Sequence, residues 1–125
     1  ANYFWVLVNN EKYTCSTLHY IDKNLDSGNI ISFSNSIKIN NNESVFSIYI
    51  KILETGNDIL DNFWNRYKNN LFIKTTIQNN SNATLRSFPK SKDIDKIFQN
   101  GHKIFKLKDF LKFFKYSFSR DNNVI

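Results

Sequence analysis

Between Ile30 and Ile52 the chain twice places apolar residues at every second position, and this period restricts its fold more than any other feature. In IISFSNSIKI, Ile31, Phe33, Ile37 and Ile39 share one face with Asn35, while Ser32, Ser34, Ser36 and Lys38 share the other. In SVFSIYIKIL, Phe46, Ile48, Ile50 and Ile52 face one way, and Ser47, Tyr49 and Lys51 the other. Successive strand side chains point to opposite faces, so this alternation predicts two half-buried strands. The polar turn NNNES between them predicts an antiparallel hairpin, one face on a core and one in water.

The continuous apolar run Tyr3–Val8 (YFWVLV) reads as a buried strand ending at the Asn9–Asn10 turn. Residues 13–21 are β-prone and expected to pair back on it, and 22–29 (DKNLDSGN) form a loop. The period then changes to that of a helix. Asn57 or Asp58 is the expected N-cap, and Ile59, Leu60, Phe63, Trp64 and Tyr67 form one stripe that ends at Asn69–Asn70. Leu71–Ile77 returns to a strand, and 78–92 is a polar loop with the only proline, Pro89. Residues 93–101 (DIDKIFQNG) form a short helix with Asn100–Gly101 as its stop. From His102 two readings stand. One helix aligns Ile104, Leu107, Phe110, Leu111, Phe114 and Phe118, or KIFKL is a strand and Asp109 caps a shorter helix.

The expected fold is therefore α+β. It is an antiparallel sheet or partly open barrel of about five strands, with one helix inserted before the last strand and C-terminal helices packed on it. A chain of 125 residues is one domain, 1–125, and its first residue, Ala rather than Met, suits a domain excised from a longer chain.

Function is harder to read. The one cysteine, Cys15, permits no internal disulfide and no thiolate metal site, and it reads as a small buried hydrophobe. Intracellular residence follows, with the nucleus open to a nucleic-acid binder. Three glycines cannot make a phosphate-cradling loop, and no His/Cys/Asp/Glu cluster has ligand spacing. No metal, cofactor or small-molecule substrate is expected. His19 and His102 with a lysine are the parts of an acid–base ribonuclease, but nothing in the sequence brings them together. No catalytic residue is assigned, and the chain is expected not to be an enzyme.

The charge is lopsided. Residues 1–60 hold four Lys against six Asp or Glu, a net of −2, while residues 61–125 hold 13 basic against five acidic side chains, a net of +8. Lys103, Lys106, Lys108, Lys112, Lys115 and Arg120, with Arg86 and Lys90 of the loop, are candidate phosphate contacts. Lysine-led contacts favour backbone binding with little sequence preference. The abundance of Lys, Asn, Ile and Phe also matches A/T-rich codons, which weakens the charge argument. The reading is a non-catalytic module whose basic half binds nucleic acid. The alternative is a protein-interaction domain that docks a peptide or subunit on a sheet edge or on a Trp64/Tyr67 face. A membrane surface is the weaker third choice, because the apolar stripe of the last helix is needed to cover a sheet.

Overall fold

The computed structural model describes residues 2–79, 84 and 86–121, with the side chains of 116–121 outside the description. Among the described residues four helices and four short strands follow one another: α1 Asn2–Val8, β1 Tyr13–Thr14, β2 Thr17–His19, β3 Ile30–Phe33, β4 Ile37–Lys38, α2 Val45–Lys68, α3 Ser91–Gln99 and α4 Leu107–Asp121. The class is α+β. Two antiparallel ladders of two strands each, β1 with β4 and β2 with β3, stand where a five-stranded sheet or barrel was expected. No helix among the described residues is long and apolar enough to cross a membrane.

The chain divides into two packing units. The first holds residues 1–12, 39–51 and 89–125, and the second 13–38 and 52–88. Helix α2 contributes its first residues to one and the rest to the other.

In the first unit, Tyr3–Val8 is a helix, not a strand. Its buried residues, Phe4, Leu7 and Val8, have helical spacing, and α1 packs on α3. Leu7, Ile48 and Ile97 are fully buried, each stabilising the unit by about 2 kcal/mol. Asn100, just after α3, donates its side-chain N–H to the carbonyls of Leu7 (2.9 Å) and Val8 (3.1 Å) at the end of α1, where Leu7 O also accepts the Asn10 N–H at 3.2 Å. Gly101 follows with φ 77°, the left-handed stop that the sequence predicted.

The second alternating stretch is also helical. Ser44 accepts the N–H of Ser47 at 3.0 Å and caps α2, which then runs unbroken through Gly56 to Lys68. Asn57 and Asp58, the expected caps, lie inside it. At the start of α3 the Asp93 carboxylate accepts the Lys90 N–H at 2.9 Å, and at the start of α4 Asp109 accepts that of Lys106 at 2.8 Å. The C-terminal helix is therefore shorter than one starting at His102, but it begins two residues before the expected cap: Lys106 is the N-cap, and Asp109 lies within the first turn and accepts its N–H. KIFKL supplies only an isolated parallel bridge, Ser44 to Lys103.

In the second unit, β2 pairs with β3 through Thr17–Phe33, Leu18–Ser32 and His19–Ile30, and β1 with β4 through Tyr13–Lys38 and Thr14–Ile37. Ser16, between β1 and β2, ties them to α2: its hydroxyl donates to the Ile52 carbonyl at 2.7 Å. Of the expected strand Leu71–Ile77, only a bridge between Thr76 and Ile30 is present, with both N–H···O bonds at 2.8 Å. Asn10, Asp26, Asn42 and Asn70 hold φ between 51° and 57°, in the left-handed region. Among side chains, Asn and Asp enter it most readily.

Candidate functional site

Strand β2 ends on His19, and the loop that follows returns to β3 at Ile30. Several bonds close this loop. Tyr20 N–H donates to Asn29 O at 3.0 Å. Gln78 donates its side-chain N–H to the carbonyls of Asp26 (3.0 Å) and Gly28 (2.6 Å). Asp22 accepts Asn24 N–H at 2.9 Å and the Ser27 hydroxyl at 2.7 Å. The Ser27 bond first, then that of Asn24, hold the Asp22 carboxyl below its usual range. Gly28 is required by close approach, since a Cβ there would lie 1.7 Å from Tyr20 O.

The loop brings Asp26 to His19, with Oδ1 3.8 Å from Nε2. The other ring nitrogen, Nδ1, lies 2.9 Å from Tyr20 O. A carbonyl oxygen only accepts, so Nδ1 carries the hydrogen and Nε2 is the basic nitrogen. Asp26 is largely exposed, whereas His19 is only partly so. An incoming N–H or O–H can thus be met by an imidazole lone pair and a carboxylate together. Among the described residues no cluster of three or more His, Cys, Asp or Glu could hold a metal ion.

His102, the expected second histidine, belongs to the other packing unit and is buried, with Nδ1 accepting the Glu43 N–H at 3.1 Å. Burial pushes its pKa down. Cys15 is exposed rather than buried. Lys103, Lys108, Lys112, Lys115, Lys90 and Arg86 are exposed, and Lys106 is half-buried at the N-cap of α4. Arg120 lies in α4 with its side chain outside the described residues, as do 80–83 and 85 of the expected loop. Trp64 and Tyr67 are exposed and stacked on each other, centroids 5.7 Å apart, with Lys68 over the indole. Asp26 was missed by sequence reasoning. The available signal was a histidine at a strand end, followed by a loop with two acids and a glycine.

No protein-family model and no curated protein matches the sequence. Solved structures do. The sugar 3-N-formyltransferase WlaRD, solved in the presence of dTDP and 5-N-formyl-THF, aligns with 31% identity over 74% of this chain, with a TM-score of 0.62. The N-formyltransferase from Helicobacter canadensis, in complex with folinic acid and dTDP-3-aminofucose, aligns with 25% identity over 78% of this chain, with a TM-score of 0.60. The chain spans 32% of the first protein and 40% of the second. Both neighbours are enzymes with small-molecule ligands. That finding overturns the expectation of a non-catalytic module, whether for nucleic acid or for a protein subunit. It overturns equally the expectation that no small-molecule substrate is bound.

Proposed function

We propose that this chain forms part of an N-formyltransferase that formylates the amine of a nucleotide-linked amino sugar, with a formyl-folate as donor. The observation that carries the reading is the His19–Asp26 pair, with its basic nitrogen 3.8 Å from the carboxylate and its other nitrogen already engaged. The structural neighbours support the choice of amine and donor. The coverage of a third to two-fifths of those proteins supports reading residues 1–125 as one segment of a larger catalytic body. An intracellular location fits this reading.

The donor supplies an activated formyl carbon. As the amine nitrogen bonds to that carbon, it must lose a proton, and His19 Nε2 is placed to take it. The Tyr20 carbonyl holds the ring through Nδ1, and the Asp26 carboxylate lies beside the new charge. Breakage of the donor's carbon–nitrogen bond leaves a folate nitrogen that needs a proton, and the imidazolium can return it. His19 and Asp26 thus hold and move one proton, and neither is consumed.

The test is formyl transfer to a dTDP-linked amino sugar by the full-length protein. His19→Gln and Asp26→Asn should each lower kcat by about 100-fold or more, with KM little changed. Wild-type kcat in both variants, or no transfer by the wild type, would sink the reading.

A further inference from the structure

We infer that the groove beside this pair seats the nucleoside diphosphate half of the sugar substrate, an assignment that rests on the function proposed above. A cavity of about 340 Å3 opens within the second packing unit, between β3, the latter part of α2 and the segment that follows it. That volume is within the range of small-molecule sites. Ile31, Phe33, Ile59 and Phe63 give it apolar and aromatic walls, and Arg66 and Lys74 line it as well. No Asp or Glu does. Among the described residues neither cation has a carboxylate within ion-pair distance. Arg66 is nonetheless fixed, because Nη2 donates to the Phe72 carbonyl at 2.6 Å. Its other N–H groups remain for a ligand.

Two cations beside aromatic walls, with no acid among them, suit a planar base that carries a dense negative charge. The guanidinium fork matches phosphate oxygens, and the lysine adds a point charge. A phenyl face can stack on the base. The groove is also joined to the His19–Asp26 pair. Ile30 pairs with His19 and directly precedes Ile31 of the wall. The Tyr20 carbonyl accepts from His19, and the Tyr20 ring packs edge-on against Phe63, centroids 6.4 Å apart. Adjacent strand positions are about 3.3 Å apart, so the groove wall begins one strand position from the residue that pairs with His19.

The decisive experiment is calorimetric titration of dTDP into the full-length protein, its Arg66→Ala variant and its Lys74→Ala variant, beside steady-state kinetics. Lys74→Ala leaves the Arg66–Phe72 bond intact, so loss of the fold does not cloud its result. Each variant should weaken dTDP binding tenfold or more and raise KM for the nucleotide sugar similarly, with KM for the formyl donor unchanged. Unchanged dTDP affinity in both variants overturns the inference, even with formyl transfer intact. A rise confined to the KM of the formyl donor overturns it too, and gives the groove to the folate. If the wild type transfers no formyl group, the proposed function fails, while loss of dTDP binding in the variants still establishes the groove as a nucleotide site.

Discussion

Ser44 donates its hydroxyl hydrogen to the Asp109 carboxylate across 2.5 Å, so a single acid supports the first turns of two helices. The same Asp109 oxygen accepts the Lys106 N–H that opens α4, and Ser44 accepts the Ser47 N–H that opens α2. Asp109 is 1% exposed. Its charge lies close to helix N-termini, where the aligned peptide dipoles favour an anion.

Removing either partner should cost more than an ordinary cap. Asp109→Ala leaves a buried hydroxyl and a backbone N–H without an acceptor, and we expect a loss of about 3 kcal/mol. Ser44→Ala should cost about 2 kcal/mol. Because both remove the same bond, the double variant should lose clearly less than the sum. Urea unfolding of the four proteins reads this directly. Strict additivity would show that the two residues are not coupled.

Acid should weaken the first packing unit in two steps. Burial holds the His102 pKa below its ordinary 6.5. Burial pushes Glu43 up, but hydrogen bonds from Ser47 and Lys51 outweigh it and leave the carboxyl below its ordinary 4.5. Both groups then bind more protons in the unfolded chain than in the folded one. Their stability is present above the ordinary values and is lost as pH falls through the folded ones. The His102 step comes first, below pH 6.5, and the Glu43 step follows below pH 4.5. His102→Asn, which keeps an acceptor for the Glu43 N–H, should remove the first step alone in a pH series of unfolding midpoints.

Two glycines should respond differently to one added methyl group. At Gly28 the Cβ collides with the Tyr20 carbonyl, so the backbone of the loop must move. Gly28→Ala should therefore displace Asp26 from His19 and depress kcat. At Gly101 nothing lies near the new Cβ, and only the φ of 77° resists it. Gly101→Ala should cost about 1 kcal/mol in stability, with kcat unaltered. Equal kcat in both variants would contradict this account of the loop.

Asn100 joins the ends of α1 and α3 through two carbonyls. Asn100→Ala should lower stability by about 2 kcal/mol. It should also raise amide exchange in Asn2–Val8 more than elsewhere. Uniform exchange would show that the bonds do not hold α1.

Local signals in the sequence were sufficient for α3 and for strands within 13–21 and 30–39, and they placed the start of α4 two residues late, at Asp109 instead of Leu107. They misled wherever two periods overlapped. In α1, Phe4, Leu7 and Val8 have helical spacing, but the uninterrupted apolar run hid it. In 45–52 the alternation is accidental. Ser47 is buried there because Glu43 accepts its hydroxyl at 2.6 Å, so a polar residue sits at an inward position. The Ser44 cap and the continuity with Ile59, Phe63 and Tyr67 were the deciding signs. The His19–Asp26 pair has no periodicity to reveal it. Gln78 and Phe63, which hold or adjoin its loop, are distant in sequence and meet it only in the fold. The lysines of α4 drew the eye because they are many, yet the groove depends on one arginine and one lysine from different segments.

Among the described residues, three of the four side-chain-bearing positions in left-handed backbone are asparagines: Asn10, Asn42 and Asn70. Glycine takes that shape more cheaply, yet this chain has only three glycines. Asparagine is the side chain best able to stand in, and its codons are those an A/T-rich genome supplies most freely. Mutational drift that strips glycine from a lineage need not unmake its turns. At these positions the two residues are close to interchangeable, and neutral exchange between them is a path along which the sequence can move far while the backbone stays where it is.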